Sequence, residues 1–245
     1  MKMKNDLQDK VLLLTGGGGG IGRSIAQRAA ELKMKVILFG GNDLAKLEET
    51  KKIVEVHSTC AVFPGNLTDF DFLSEGAAAA AVLWGGVDVL VNNAGSASST
   101  PFAHVTFEEF DRIMTINVKV PFFLTQKLLP CLKRSAVPTV INIASVTGHA
   151  GYVDQSVYSA SKHALLGMTK SLAAEYYKEG IRVHAISPGG VYTDMVKVTR
   201  PDLTPEGMIM PEDIADIVEF FLFHRSNAVV DEILVHRVGK VPFQV

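Results

Sequence analysis

Residues 11–22 read Val-Leu-Leu-Leu-Thr-Gly-Gly-Gly-Gly-Gly-Ile-Gly, an apolar run that leads through glycines into a helical pattern. Gly16, Gly20 and Gly22 carry no Cβ, so the backbone there can turn sharply and approach a phosphate closely. The N–H groups and the dipole of a helix that begins at Ile21 would favour an anion at the same place. A glycine run by itself also suits a flexible surface loop. Its position between the first predicted strand and the first predicted helix favours a phosphate-binding turn instead.

Short apolar segments alternate with longer helical patterns along the rest of the chain. The predicted strands cover residues 10–15, 35–39, 59–64, 87–91, 139–144, 181–187 and 232–236. The predicted helices cover residues 21–32, 42–54, 69–84, 106–132, 152–178 and 211–224. Several strands are apolar throughout, as is typical of strands covered on both faces. We therefore expect an α/β fold: one doubly wound domain, residues 1–245, with a seven-stranded, mainly parallel sheet and helices on both faces.

Composition and charge narrow the possible function classes. Hydrophobic residues make up 47% of the chain and charged residues 20%, as in an ordinary globular protein. The net charge is −2 and no dense Lys/Arg tract is present, which disfavours nucleic-acid binding. Cys60 and Cys131 form no Cys-x-x-Cys pair, so we expect neither a disulfide framework nor a metal site. The first apolar run, residues 11–14, is too short for a signal peptide or a membrane span, and we expect a cytoplasmic protein.

Tyr158 and Lys162 lie four residues apart in a predicted helix, so they share one helix face. An ordinary tyrosine has a pKa of about 10, and a nearby ammonium or oxidised nicotinamide lowers that pKa. Such a tyrosine can exchange a proton with a substrate oxygen while hydride moves at the adjacent carbon. Ser145 follows the predicted strand 139–144, where its hydroxyl could hold that oxygen. A Tyr–Lys pair alone is more often a packed aromatic with a solvated neighbour, and only the combination with Ser145 and the glycine turn indicates catalysis.

The pattern Thr15-Gly16-(x)3-Gly20-Ile21-Gly22 resembles the nucleotide-binding turn of the short-chain dehydrogenase/reductase family. Tyr158-x-x-x-Lys162 and the upstream Ser145 are similar to that family's catalytic centre, in particular that of its 3-oxoacyl-carrier-protein reductase-like members. The resemblance implies a Rossmann fold and an NAD(P)(H)-dependent oxidoreductase that interconverts a ketone or aldehyde and an alcohol. It also implies that Tyr158 is the general acid/base, that Ser145 polarises the carbonyl, and that Lys162 tunes Tyr158 and bonds the nicotinamide ribose.

Two further elements extend the resemblance into the middle of the chain. Asn92-Asn93-Ala94-Gly95 follows the predicted strand 87–91 and resembles the family's Asn-Asn-Ala-Gly element, whose last three residues border the cofactor. Asn117 matches the family's Asn that interrupts the helix and holds a proton-relay water behind the lysine. Taken alone, Asn117 would be a capping or solvent-facing residue.

A third element follows the sixth predicted strand. Pro188-Gly189-Gly190-Val191-Tyr192-Thr193 resembles the family's Pro-Gly-x-x-x-Thr segment. The resemblance implies that Pro188, Gly189, Val191 and Thr193 bind the nicotinamide carboxamide, through the Val191 backbone and the Thr193 hydroxyl. Taken alone, Pro188 and Gly189 indicate only a turn.

The residues that would meet the adenosine depart from the family pattern. Gly40 stands near the place of the acidic residue that selects NAD, and no Arg follows it to favour NADP. The lack of that acid removes one source of repulsion against a 2′-phosphate, and Arg23 or Lys46 could reach one, so we favour NADP over NAD. Asn42 could instead bond the ribose of NAD, and Asp43 could oppose the phosphate.

The adenine contact is also altered. Asn66 occupies the position where the family commonly has an Asp that contacts the adenine amino group, and its side-chain oxygen can still accept such a bond. We expect Leu67, the next residue, to border the same site.

Residues 96–102, 146–154 and 192–210 would form the substrate side. These short, largely apolar loops suit a small or medium carbonyl compound, and His149 and Asp154 are more often solvated loop residues than ligands. The alternative functions are a catalytically silent dinucleotide sensor, or a methyltransferase, which would not explain Tyr-x-x-x-Lys. The resemblance implies a homo-oligomer, a dimer or homotetramer, through the helical stretches 106–132 and 152–178. The C-terminal residues 235–240 lack the family's acidic-glycine ending, which weakens the case for the usual tetramer contacts.

Overall fold

Seven parallel strands form one sheet in the computed structural model, which describes residues 7–194, 196 and 204–241. The strands are β1 (Val11–Thr15), β2 (Lys35–Phe39), β3 (Cys60–Phe63), β4 (Val89–Asn92), β5 (Thr139–Ile143), β6 (Arg182–Pro188) and β7 (Glu232–Val235). Their order is β3-β2-β1-β4-β5-β6-β7. The chain winds outward from β1 in one direction and from β4 in the other, so the two halves meet between β1 and β4. This confirms the predicted doubly wound α/β fold, and each strand pair is parallel.

Helices cover both faces of the sheet. They are α1 (Gly20–Glu31), α2 (Leu44–Glu55), α3 (Phe70–Ala80), α4 (Phe107–Met114), α5 (Val120–Leu132), α6 (Ser156–Tyr176) and α7 (Pro211–Phe223). Leu12 and Leu14 of β1 pack in one core with α1, α2 and α7, whereas Val11 and Leu13 pack in the other with α3 and α5. Burial of alternate side chains on opposite faces explains why β1 is apolar throughout.

The predicted helix 106–132 is divided by a π-helical turn, Thr115–Lys119, between α4 and α5. The Val120 N–H donates to the Thr115 carbonyl, five residues back rather than four. Pro121 has no N–H to donate to the Asn117 carbonyl, so a regular α-helix cannot continue through this point with all its bonds. The apolar periodicity did not predict the break, whereas the family resemblance of Asn117 implied it.

Two other predicted helices are shorter than their apolar patterns. The predicted helix 69–84 ends at Ala80, and Trp84 beyond it has a φ of +54°. The predicted helix 152–178 begins at Ser156, after Asp154, whose φ is +60°. A positive φ is incompatible with a right-handed helix, so the chain turns at both residues.

No helix in the described part of the chain is both long and apolar enough to cross a membrane. Within the same residues, no three His, Cys, Asp or Glu side chains are grouped so that they could hold a metal ion.

Candidate active site

The glycine turn joins the end of β1 to the start of α1. Gly16 and Gly20 have φ values of +70° and +49°, in the left-handed region that favours glycine. A Cβ on Gly22 would lie 2.2 Å from the Gly16 carbonyl oxygen and 2.8 Å from Asn93 Nδ2. The first turn of α1 can therefore approach the β1 and β4 ends this closely only because residue 22 has no side chain.

The N-terminus of α1 is left without a side-chain cap. Asp43, Asp69 and Thr106 accept hydrogen bonds from the first backbone N–H groups of α2, α3 and α4. The corresponding residue of α1 is Gly19, which has no side chain to accept one. The first N–H groups of α1 thus keep their positive ends available to an anion at the glycine turn.

The segment after β4 is fixed to the glycine turn by side-chain hydrogen bonds. Thr15 Oγ1 accepts from the backbone N–H of Asn93 and of Ala94, each at 3.0 Å. Asn93 Nδ2 donates to the Thr15 carbonyl at 3.0 Å and to the Gly16 carbonyl at 3.1 Å. A Cβ on Gly95 would lie 3.1 Å from Asn117 Oδ1, so the chain passes tightly here as well. These contacts bring three of the predicted cofactor-binding residues to one edge of the sheet.

Ser145, Tyr158 and Lys162 come together at the carboxyl edge of the sheet. Ser145 follows β5 and is 7% exposed, its Oγ accepts from the Thr147 N–H at 3.2 Å, and it lies beside the phenol of Tyr158 on α6. Lys162, one turn along α6, is 5% exposed. Its Nζ donates to the Ile143 carbonyl at 2.9 Å and lies 5.7 Å from the centroid of the Tyr158 ring. The sequence predicted this cluster, and the fold assembles it from one strand end and one helix.

The two ionisable groups of this cluster respond to burial in opposite directions. Burial raises the pKa of the Tyr158 phenol, and the hydrogen bond with Ser145 lowers it by less. Burial lowers the pKa of the Lys162 ammonium to about 8. The expectation that Lys162 lowers the Tyr158 pKa is therefore wrong for this structure, because burial raises that pKa. A protonated phenol at neutral pH suits a general acid, which is the role required for carbonyl reduction.

Asn117 is buried beside α6, which carries Tyr158 and Lys162, and is not solvent-facing as the single residue suggested. Its Oδ1 accepts from the Ser96 N–H at 2.9 Å, and its Nδ2 donates to the Ser96 carbonyl and to Ser161 Oγ, each at 2.9 Å. Asn117 thus links the π-helical turn to the segment after β4 and to α6. The proton-relay water that the resemblance implied stays a prediction.

The segment after β6 packs against the glycine turn. The Gly189 N–H donates to the Val235 carbonyl at 2.8 Å, and Val191 is buried beside Ile209. A Cβ on Gly20 would lie 3.0 Å from Thr193 Cγ2, so Thr193 stands directly against the start of α1. The predicted nicotinamide segment is therefore adjacent to the predicted phosphate site.

A cavity of about 430 Å³ lies between these elements, and we call it the active-site cavity. The predicted residues that line it are Ile21, Asn93, Gly95, Ser145, Tyr158, Lys162, Pro188, Gly189, Val191 and Thr193. From the predicted substrate loops, the residues that also line it are Ser96, Ala97, Val146, Thr147, Tyr152, Val196 and Met208. The substrate-loop residues 195, 197–200 and 201–203 lie outside the described residues.

The two polar loop residues considered for the substrate side, His149 and Asp154, lie outside the active-site cavity. His149 Nε2 lies 2.6 Å from Glu232 Oε1, so its side chain is bonded to β7 rather than solvated. Asp154 is exposed, and its carbonyl accepts from the Thr100 N–H at 2.7 Å. Neither is among the side chains that line the active-site cavity.

Sequence reasoning missed one wall of the active-site cavity. Gln155, His236, Arg237 and Lys240 line it, and the sequence patterns assign none of them to the site. The contact between the end of β7 and the segment after β6 is long-range, and no local pattern reports it.

The end of β2 has no room for the acidic residue that selects NAD. Gly40 has a φ of +78°, and a Cβ there would lie 2.4 Å from Leu67 Cγ. Leu67 is 5% exposed and fills this space as a packing residue. Gly41 and Gly65 exchange backbone hydrogen bonds at 2.8 and 3.1 Å, which joins the ends of β2 and β3. A side chain at residue 40 would have to displace Leu67.

The polar residues near the predicted adenosine site are partly engaged within the protein. Asn66 Oδ1 accepts from the Thr68 N–H at 3.1 Å and from Thr68 Oγ1 at 2.9 Å, so the oxygen expected to meet adenine already has two donors. Arg23 Nη2 lies 2.8 Å from Glu49 Oε2 and donates to the Gly18 carbonyl at 3.1 Å. The guanidinium of Arg23 is therefore neutralised by a carboxylate in this arrangement.

Three further residues lie beside the same site. Asn42 and Lys46 are exposed, and Asp43 Oδ1 accepts from the Lys46 N–H as the cap of α2. A Cβ on Gly18 would lie 3.5 Å from Lys46 Cβ, which places the base of the Lys46 side chain against the glycine turn.

Comparison with known proteins identifies the family. A family model described as short chain dehydrogenase matches residues 10–204. The 3-oxoacyl-(acyl-carrier-protein) reductase of Rickettsia bellii is 35% identical over 239 residues, which cover 94% of this chain and 95% of that protein. Levodione reductase of Leifsonia aquatica is 35% identical over 205 residues, covering 81% of this chain and 75% of that protein. The crystal structure of a metagenomic short-chain oxidoreductase with NADP is 28% identical, with a TM-score of 0.82, and covers 94% of this chain and 98% of that one.

The family match covers well over half of the chain, and both relatives are reductases. The comparisons give no support to the alternative of a catalytically silent dinucleotide sensor. The chain belongs to the short-chain dehydrogenase/reductase family and is an NAD(P)-dependent oxidoreductase that acts on CH–OH and C=O groups.

Proposed function

We propose that Ser145, Tyr158 and Lys162 carry out the reversible reduction of a small or medium ketone or aldehyde. The observation that supports this assignment is that the three side chains line one cavity, with the Tyr158 phenol beside Ser145. Ser145 donates to the carbonyl oxygen and Tyr158 gives that oxygen its proton, so the C=O group becomes CH–OH. Hydride delivery to the carbonyl carbon is the chemistry that a bound nicotinamide supplies.

We also propose that the groups behind Tyr158 return a proton to it after each turnover. Lys162 holds its ammonium within the cavity wall by its bond to the Ile143 carbonyl, and its pKa of about 8 lets it exchange a proton near neutral pH. Asn117 fixes the π-helical turn next to it, and Pro121 leaves the Asn117 carbonyl without an α-helical donor. We assign that carbonyl the role of accepting a hydrogen bond from the relay water.

The proposed cofactor contacts follow the same edge of the sheet. Gly16, Gly20, Ile21 and Gly22 would hold the pyrophosphate at the uncapped start of α1. The other contacts would come from Asn42, Asn66, Leu67, Asn93, Ala94, Gly95, Tyr158, Lys162, Pro188, Gly189, Val191 and Thr193.

A carbonyl panel tests the reaction class. Ketones and aldehydes are offered with NADPH and with NADH, each carrying deuterium at the transferable position. We expect the label to appear on the carbinol carbon of at least one product. Tight cofactor binding without consumption of any carbonyl compound, or of any alcohol in the reverse assay, would contradict the proposal and favour the silent sensor.

We propose NADP as the preferred cofactor, with Lys46 as the side chain that meets the 2′-phosphate. This is supported by the missing acid at Gly40 and by the position of Lys46 against the glycine turn, whereas Arg23 is paired with Glu49. The bound NADP in the crystal structure of the metagenomic short-chain oxidoreductase is consistent with this preference.

Calorimetry with both cofactors tests this preference. Lys46→Ala should weaken NADPH binding about tenfold and leave NADH binding within twofold, since it removes one charge-assisted contact. Lys52→Ala, on the same helix, is the matched control. Equal loss of affinity for both cofactors in Lys46→Ala would refute the assignment.

We further propose that residues 1–245 form one domain and that the protein is a cytoplasmic homo-oligomer, a dimer or homotetramer. One sheet extends through the described residues, and both cysteines are free and buried, which suits a reducing compartment. Phe107, Phe110 and Phe122, on α4 and α5, are 87%, 44% and 46% exposed and offer an apolar surface to a second copy.

A further inference from the structure

Three basic side chains line the active-site cavity on the side away from the glycine turn. His236, Arg237 and Lys240 belong to the turn that follows β7. Among the described residues, no acidic side chain lines this cavity. The cavity wall is thus strongly cationic although the whole chain has a net charge of −2.

The fold holds this turn over the segment that follows β6. The Val235 carbonyl accepts from the Gly189 N–H at 2.8 Å, and the Lys240 N–H donates to the Arg237 carbonyl at 2.9 Å. A Cβ on Gly190 would lie 3.2 Å from Met208 Cε and 3.8 Å from Arg237 Cδ. The Arg237 side chain therefore passes beside the Gly190 backbone, at an ordinary van der Waals distance from where a Cβ would lie.

The charge of Arg237 is not neutralised by a carboxylate within the described residues. Arg237 Nη1 donates to Met208 Sδ at 3.3 Å, and a thioether is a weak, uncharged acceptor. By contrast, Arg23 lies 2.8 Å from Glu49, and Arg28 lies 2.5 Å from both Asp216 and Glu219. A guanidinium in a cavity wall that keeps donors for a ligand favours an oxyanion, which it can bind through two parallel hydrogen bonds.

The turn after β7 and the glycine turn follow strands that are widely separated along the edge of the sheet. β7 lies four strands from β1 in the sheet. At roughly 4.8 Å per strand, the ends of β1 and β7 are about 19 Å apart. Ser145 follows β5, which lies between these two strands, so a molecule in contact with Arg237 reaches Ser145 from the β7 side of the sheet edge.

We propose that the natural substrate is a carbonyl compound that also carries an oxyanion, a carboxylate or a phosphate monoester. Arg237, assisted by His236 and Lys240, binds the oxyanion while Ser145 and Tyr158 hold the carbonyl oxygen. This inference rests on the proposed reduction of a carbonyl group and adds the substrate class.

Matched substrate pairs test the substrate class. Pyruvate, acetoacetate and levulinate are each compared with their methyl esters, and dihydroxyacetone phosphate with dihydroxyacetone. Wild type should show kcat/KM at least about tenfold higher for the anion of one pair, the factor expected of one charge-assisted contact. The carboxylate and phosphate pairs identify which oxyanion is used. A preference for the neutral partner in every pair would overturn the proposal.

Charge-removing and charge-keeping variants locate the subsite. Arg237→Gln should reduce the anion-to-neutral ratio about tenfold, whereas Arg237→Lys should keep most of it and Lys52→Gln all of it. Turnover of the neutral partners reports the proposed reduction, and the ratio reports the oxyanion subsite. An unchanged ratio in Arg237→Gln would overturn the role of Arg237.

A binding measurement separates failure of this inference from failure of the proposed function. Succinate and its uncharged diamide are titrated into the wild-type chain by calorimetry. Succinate should bind more tightly than the diamide, and Arg237→Gln should weaken succinate about tenfold. Equal binding of both probes would refute the subsite even in an active enzyme. Selective succinate binding by a chain that reduces no carbonyl would refute the reduction alone.

Discussion

At the scale of single residues, Lys162 is an ammonium kept in a buried position. Its Nζ has the Ile143 carbonyl as an acceptor, and burial lowers its pKa from 10.5 to about 8. Between these two pH values the unfolded chain binds more protons at this position than the folded chain does. The stability that depends on Lys162 therefore rises with pH in this window and is constant below it.

A comparison with Lys162→Met measures this effect, because methionine has a similar shape and no charge. From pH 7 to about pH 9.5, the unfolding free energy of wild type should increase by about 2 kcal/mol relative to the variant. Denaturant unfolding without cofactor at the two pH values provides the measurement. A difference between the two proteins that is independent of pH would show that the buried ammonium is not desolvated as described.

The proposed catalytic residues could be identified from the sequence because their spacing is local or family-specific. Tyr158 and Lys162 share a helix face through their four-residue separation, and Ser145 follows an apolar strand. The hydrogen bonds between Asn66 and Thr68, and the ion pair between Arg23 and Glu49, could not be predicted from the sequence. Both depend on which of several nearby polar groups a flexible side chain selects, and neither choice leaves a sequence pattern.

At the scale of secondary-structure elements, the π-helical turn between α4 and α5 determines how three parts of the site meet. Asn117 extends from it to Ser96, after β4, and to Ser161, on α6. The strands were predicted well because apolar runs covered on both faces are continuous in sequence. The turn was not predicted from periodicity, because the apolar pattern continues through it and only Pro121 interrupts the hydrogen bonds.

Replacement of Asn117 by Ala tests the role of this junction. The change removes three hydrogen bonds at a residue that is 1% exposed and leaves Ser96 and Ser161 groups unpaired. We expect a loss of roughly 3 kcal/mol in unfolding free energy. Asn42→Ala, at an exposed position, should change it by less than about 0.5 kcal/mol. Equal stability of the two variants, measured by denaturant unfolding, would contradict the proposed link.

At the scale of the whole molecule, the doubly wound order of the sheet explains why distant motifs share one cavity. The carboxyl ends of β1, β4, β5, β6 and β7 lie along one edge, and each contributes residues there. The alternation of strands and helices was sufficient to predict this edge. The basic turn after β7 was missed because its neighbours, Gly189 and Met208, are far from it in sequence.

Oligomer formation is a prediction for the whole molecule. Sedimentation velocity at micromolar concentration should show a dimer or tetramer. A double variant, Phe107→Ser with Phe110→Glu, should dissociate the oligomer, because it introduces polar groups into the exposed apolar face of α4. Val82→Ser, exposed at 78% on another part of the surface, is the control. A wild-type chain that sediments as a monomer would refute the oligomer.

In the proposed reaction, Tyr158 gives the proton to the carbonyl oxygen. The direct measurement is kcat with a good ketone substrate, with the NADPH dissociation constant determined on the same samples, for wild type, Tyr158→Phe and the exposed control Tyr177→Phe. We predict that Tyr158→Phe loses at least about a hundredfold in kcat, the usual contribution of general acid catalysis, while NADPH binding changes little. Tyr177→Phe should retain wild-type kcat. Wild-type turnover by Tyr158→Phe would contradict the proposed role of Tyr158 as the general acid.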